Sequence, residues 1–203
     1  MPAGYTHYVF GEQVLSQLDE NIKKRIMPYI DLYHIGIHGP DILFYYDVYK
    51  KNPVKSLGFG MHQLPATDFF KHAKELIKQD ATDAALAYTI GFITHFTLDS
   101  SLHPEIGVLE NTLSMTHSLL ESELDRELLR VGRDPLTANL TTHIHPGYTN
   151  ALVIAPFFDL KAEEVDKALH DLLFILKWLV APSKLKRSFV LSVMKLGGMY
   201  EEY

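Results

Sequence analysis

The chain has 203 residues, 47% of them hydrophobic, and a net charge of −6. This length suits one domain with a sizeable core, and the acidic balance disfavours long nucleic acids held on a basic surface. The chain has no cysteine, which removes disulfides and thiolate metal sites, so a metal would fall to histidine and carboxylate ligands suited to zinc, manganese or iron(II).

The opening stretch MPAGYTHYVFGEQ has no basic n-region and no long apolar h-region, so no signal peptide is expected. Tyr8 to Leu18 reads as a helix, with Val9, Phe10, Val14 and Leu18 on its apolar side. His7, near its start, reads by itself as a packed or surface histidine. The segment Gly36 to Pro40 reads as a loop leading to Asp41, where an aspartate suits a helix cap as well as a metal ligand. Lys51 to Pro65 also reads as a loop. Its GFGMHQLP run lets the backbone bend so that His62 reaches a site.

Asp68 to Lys78 reads as an amphipathic helix, and Asp83 to Leu102 as a long helix buried nearly all round. Ser114 to Val131 reads as a helix stopped by Gly132 and Pro135. His143 to Gly147 is loop-like, and Ala151 to Phe158 is apolar without hairpin punctuation. Lys161 to Val180 begins with Glu163, Glu164 and Asp166 and ends before Pro182. Ser183 to Leu196 starts on a capping serine and ends at Gly197-Gly198. The longest apolar run, Leu172 to Pro182, contains Lys177 and is too short to span a bilayer. The expectation is an all-α, single-domain bundle over residues 1–203 with irregular loops around a multinuclear metal site, in a soluble cytoplasmic protein.

The stretch from Thr94 to Leu129 carries the chemistry. His95, Asp99 and His103 fall at i, i+4 and i+8, and His117 and Glu121 repeat the His-x-x-x-carboxylate step. On a helix, residues four apart share a face, so imidazole and carboxylate at this spacing can converge on a cation. These polar groups lie among Phe92, Ile93, Phe96, Leu98, Leu119, Leu120 and Leu124. Charges in apolar surroundings pair or bind metal. His34, His38, His143 and His145 lie in loop-like segments and are lesser candidates for touching metal or substrate. His72 and His170 read as helix-face residues, and Trp178 as core.

Taken in order, His7, the Gly39-Pro40-Asp41 motif, His62, the HFTLDSSLHP helix and the HSLLE helix resemble the zinc-dependent phospholipase C family. That superfamily includes single-strand-specific zinc nucleases and the N-terminal domain of the glycosylphosphatidylinositol-specific phospholipase D. The matching elements span about residues 6 to 126. The resemblance implies an all-α bundle with zinc ions, two or three in number, at the base of a cleft. It implies one metal on Asp41, His62, His95 and Asp99, and a second on His103, His117 and Glu121. A third would use His7, with Asp99 bridging to the first. It implies attack by a metal-activated water on phosphorus, and Asp41 as a possible general base.

The chain departs from the family's secreted members in three ways. The gap from Asp99 to His103 is shorter, and His103 is reachable if the helix ends at His103-Pro104. The secreted members use a terminal tryptophan amine as a ligand, whereas this chain begins Met-Pro-Ala. Removal of Met1 would expose the Pro2 amine; otherwise His34 or His38 would substitute, or the site would be dinuclear. The chain is also acidic and short, without added membrane- or nucleic-acid-binding parts.

The expected function is hydrolysis of a phosphate ester in a phospholipid or a nucleotide. The alternative is a non-catalytic, metal-stabilised helical binding or scaffold protein of the same fold. Tyr33, Phe44, Tyr45, Tyr46 and Phe59 suit stacking on a base, surrounding a lipid or filling a core equally. A helical phosphohydrolase of the His-Asp type is rejected, because the adjacent pair His170-Asp171 has no companion ligands.

Overall fold

Small residues decide how this chain packs. Gly36 and Gly91 sit where two helices cross in backbone contact: a Cβ on Gly36 would stand 2.5 Å from the Tyr88 carbonyl oxygen, and one on Gly91 2.3 Å from that of Tyr33. Around that crossing the computed structural model describes residues 4–132 and 142–179, together with residues 185, 188, 189, 191, 192 and 195. Among the described residues the regular elements are helices and no strand forms, as the sequence pattern predicts. They are α1 (Gly4–Gln17), α2 (Glu20–Ile26), α3 (Ile30–Gly36), α4 (Pro53–Met61), α5 (Thr67–Gln79), α6 (Ala84–Leu113), α7 (His117–Gly132), α8 (Tyr148–Ile154) and α9 (Ala162–Leu179). Single 3-10 turns cover Met27–Tyr29, Gly39–Tyr45 and Ala155–Phe158.

The axis of the fold is α6. Its first half buries Ala84, Ala85, Ala87, Tyr88, Gly91 and Phe92, small side chains that admit α3 alongside bulky ones that fill the core. α1, α3, α5 and α7 all pack against it. Phe92 stacks on Phe69 of α5 at 3.9 Å between ring centroids, and Tyr88 meets Phe157 edge-on at 4.8 Å. Tyr33 is fully buried and donates its hydroxyl to the Gly11 carbonyl at 2.6 Å. Tyr33 and Tyr45 are thus core residues, not substrate contacts. No helix among the described residues is long and apolar enough to cross a membrane.

Several boundaries differ from the sequence reading. α1 begins at Gly4, so His7 lies inside the helix. α6 does not end at His103-Pro104 but continues through the proline to Leu113. Pro104 removes one backbone bond, and Thr97, Ser100 and Ser101 each turn a hydroxyl back onto a carbonyl one turn earlier, yet packing of the buried half carries the helix on. The supposed loop Lys51 to Pro65 is mostly α4. Asn52 caps it by accepting from the Lys55 amide at 2.9 Å, and Pro53 occupies the first helical position, where a missing N–H costs nothing. Residues 20–36 form α2 and α3, which no clear apolar period announces, and the apolar segment from Ala151 becomes α8 and a 3-10 turn. The helix expected at Ser183 to Leu196, Pro135 and the side chain of Trp178 lie outside the described residues, apart from the single positions given above.

Candidate metal centre

Each presumed ligand is held by a local feature of the chain. Asp41 sits inside the 3-10 turn Gly39–Tyr45, with His38 rather than Asp41 at the capping position. Gly39, at φ +52°, starts that turn, and a Cβ there would fall 2.2 Å from the His95 ring. Only glycine tolerates both the conformation and the approach. His62 is the residue after α4, and its Nδ1 faces the Gly58 carbonyl at 2.9 Å. This directs the Nδ1 proton to Gly58, so that in the neutral imidazole the Nε2 lone pair points inward. His95, Asp99 and His103 lie along one face of α6, and His117 and Glu121 along the first turns of α7.

The side chains converge. Asp99 is the hub: its carboxylate oxygens lie 3.1 Å from His7 Nε2, 3.2 Å from His95 Nε2, 3.7 Å from His62 Nε2 and 3.8 Å from His103 Nε2. Asp41 Oδ1 lies 2.9 Å from His62 Nε2. Glu121 Oε1 lies 3.0 Å from His117 Nε2 and 3.8 Å from His103 Nε2. Three sets bring one ligand atom per residue within 4.8 Å of one another: His7, His95 and Asp99; Asp41, His62 and His95; and His103, His117 and Glu121. His95 belongs to two of them, and its ring stacks on that of His7 at 4.4 Å. All eight residues singled out from the sequence therefore meet in one cluster.

The donor set fits zinc. Ligands at about 2.0–2.1 Å from a tetrahedral ion stand roughly 3.3 Å apart, within the range seen around Asp99. Asp41 Oδ1 is buried with no hydrogen bond despite its closeness to His62, as expected of an atom shaped to meet a cation. His117 has its Nδ1 3.5 Å from Glu110 Oε2, the carboxylate-histidine arrangement that orients metal-binding imidazoles.

Electrostatics agree. Burial pushes Asp99 up, but contact with His7 and His95 holds its carboxyl well below the usual range. Burial lowers His62, but Asp41, with help from the Gly58 carbonyl and Asp99, raises it to about 9. Burial raises Glu121 against the pull of His117.

The lesser histidine candidates stand outside these three sets. His34 Nε2 contacts Glu12 at 2.9 Å, and His145 Nδ1 contacts Asp31 at 2.8 Å. His38 and His143 pair Nε2 to Nε2 at 2.8 Å, buried, with Tyr8 stacked on His143 at 4.1 Å. His72 meets the Pro156 carbonyl and His170 that of Asp166. Phe44 and Phe59 stack at 4.2 Å, with Phe44 5.3 Å from the His62 ring. The Pro2 amine lies outside the described residues.

One residue that positions the cluster escaped the sequence reading. Asp125 accepts from the Tyr5 amide at 3.1 Å, the Thr6 amide at 2.7 Å and the Thr6 hydroxyl at 2.6 Å, which ties α7 to the turn of α1 that carries His7. The signal was available: Asp125 continues the His117, Glu121 step by four.

A family model described as zinc dependent phospholipase C matches residues 6–172. No curated protein and no solved structure matches the chain.

Proposed function

Because the chain belongs to the zinc-dependent phospholipase C family, we propose that it is a phosphoric ester hydrolase. In this reading Asp41, His62, His95 and Asp99 hold one zinc ion, and His103, His117 and Glu121 a second. His7 and Asp99 contribute to a third. The observation that carries the reading is the convergence of four imidazole Nε2 atoms on the Asp99 carboxylate. Carboxylates alone or histidines alone would suit an ion pair or a packed core; the mixture, half buried and aimed at common points, suits cations.

Zinc bound there supplies a Lewis acid for phosphoryl oxygens and lowers the pKa of bound water. The rest is the work of this chain. Asp41, Asp99 and Glu121 offset part of the ions' charge, so the cluster still attracts a phosphate monoanion. In this reading Asp41 also serves as the general base toward the attacking water, through the oxygen that does not meet zinc. His62 is fixed in the ligand tautomer by the Gly58 carbonyl, and His117 has the Glu110 carboxylate 3.5 Å from its Nδ1. The substrate is an ester of phospholipid or nucleotide type, and the protein is cytoplasmic in this proposal.

The test uses protein purified without added metal. Two or three zinc equivalents per chain, with hydrolysis of a phosphodiester that a chelator abolishes and zinc restores, is the expected result. Zinc without hydrolysis of phospholipid or nucleotide diesters would identify a metal-stabilised scaffold instead. Manganese or iron(II) at the same stoichiometry would correct the metal and leave the ligand set standing.

A further inference from the structure

A second face of α6 lies beside the one that bears His95, Asp99 and His103. Thr89, Ile93 and Phe96 fall at i, i+4 and i+7, and with Phe70, Lys74, Ile77 and Lys78 of α5 they line an open groove of ≈ 380 Å³. Ile93 is 45% exposed and Phe96 41%. Phe70 meets Phe96 edge-on at 5.7 Å and closes the groove floor.

Two properties select the occupant. The lining is apolar, and its one hydroxyl, on Thr89, already donates to the Ala85 carbonyl at 2.7 Å. A peptide laid in the groove would find no partners for its backbone N–H and C=O groups. A hydrocarbon chain needs none. The charges along the groove come from Lys74 and Lys78, and no acidic residue lines it, although the chain as a whole carries −6. Lys78 reaches sideways to Glu75 at 2.7 Å, and both remain exposed. An apolar trough edged by lysines complements an anionic amphiphile.

We infer that the α5–α6 groove docks the protein on membranes containing anionic phospholipid, taking an acyl chain between Ile93 and Phe96 and the headgroup at Lys74 and Lys78. This deepens the phospholipid branch of the proposed function and rests on it. The groove face of α6 and the face bearing His95, Asp99 and His103 are about a quarter-turn apart around the same helix. A chain seated on the bilayer through the groove therefore holds its metal cluster beside the lipid headgroups.

The experiment measures co-sedimentation of the zinc-loaded protein with phosphatidylcholine vesicles, with and without phosphatidylglycerol, alongside hydrolysis of a water-soluble phosphodiester. The protein should bind the mixed vesicles more tightly than the neutral ones. Lys74→Gln should weaken binding to the mixed vesicles about five-fold and leave binding to neutral ones unchanged. Ile93→Glu should weaken both about ten-fold or more. Both variants should hydrolyse the soluble ester as the unaltered chain does, which shows that they fold. Vesicle binding equal in all three proteins, or absent in all three, would overturn the inference. So would self-association that Ile93→Glu abolishes, which would mark the groove as a seat for a second copy. Groove-dependent vesicle binding by a protein with no esterase activity would leave the docking face standing and sink the enzymatic reading alone.

Discussion

At the residue scale Asp99 is the hub, its two oxygens facing four imidazoles. Asp99→Asn keeps the shape and removes the charge. A residue serving only a peripheral ion pair would change little, typically under about 1 kcal/mol. A hub ligand should instead lose zinc and hydrolysis together, measured as metal equivalents per chain and as initial rate. Full zinc content in the Asp99→Asn protein would refute its place between ions. Glu110 is a subtler case, because it lies 3.5 Å from His117 and outside the three ligand sets. Glu110→Gln should keep the zinc count at saturating metal and weaken affinity about ten-fold or more, the usual effect of removing an outer partner of a ligand. Unchanged affinity in a zinc titration would reduce Glu110 to a surface neighbour.

At the scale of elements, α6 and α7 present the same pattern, His95, Asp99, His103 against His117, Glu121, Asp125, each stepping by four. That is why the cluster was legible in the sequence: a helical period places ligands without knowledge of the fold. In the proposed assignment His117 and Glu121 serve one ion, so His117→Ala and Glu121→Ala should each lose one zinc equivalent, and the double variant no more than either single one. A loss of two equivalents in the double variant would show α7 facing two ions. What the sequence hid has physical causes as well. α4 reads as a loop because its glycines, Gly58 and Gly60, mask a helix that Asn52 caps and Pro53 begins. The continuation of α6 past Pro104 was missed because local propensity favours a stop there. The tie from Asp125 to Tyr5 and Thr6 joins positions more than a hundred residues apart, and no local pattern reports such a contact. The crossing at Gly36 and Gly91 is hidden for the same reason.

At the scale of the whole molecule, His62 on one side and the buried His38–His143 pair on the other have opposite proton affinities. In the zinc-free protein His62, raised to about 9 by Asp41 against the cost of burial, is held protonated. Its folded pKa exceeds the unfolded one, so its contribution to stability is fully present below about 6.5 and is lost as pH rises through about 9. Zinc needs the free imidazole, so binding should release protons and apparent affinity should climb with pH toward that value. The His38–His143 pair behaves in the reverse sense. Burial drives His143 down to about 3 and His38 well below its ordinary value, so the folded protein keeps both neutral. The unfolded chain takes up these protons near about 6.5 and therefore binds more of them across the window from there to about 3. Stability must fall as pH falls through that window. Asp99 does not confuse the reading, because its depressed pKa costs stability only below about 3.9. His143→Phe retains a flat ring against Tyr8 and removes one titrating group. In denaturant unfolding of zinc-free protein between pH 7 and pH 4, it should flatten the decline by up to about 1.4 kcal/mol per pH unit, the worth of one proton. An identical slope in both proteins would show that the pair is not what makes the fold acid-labile.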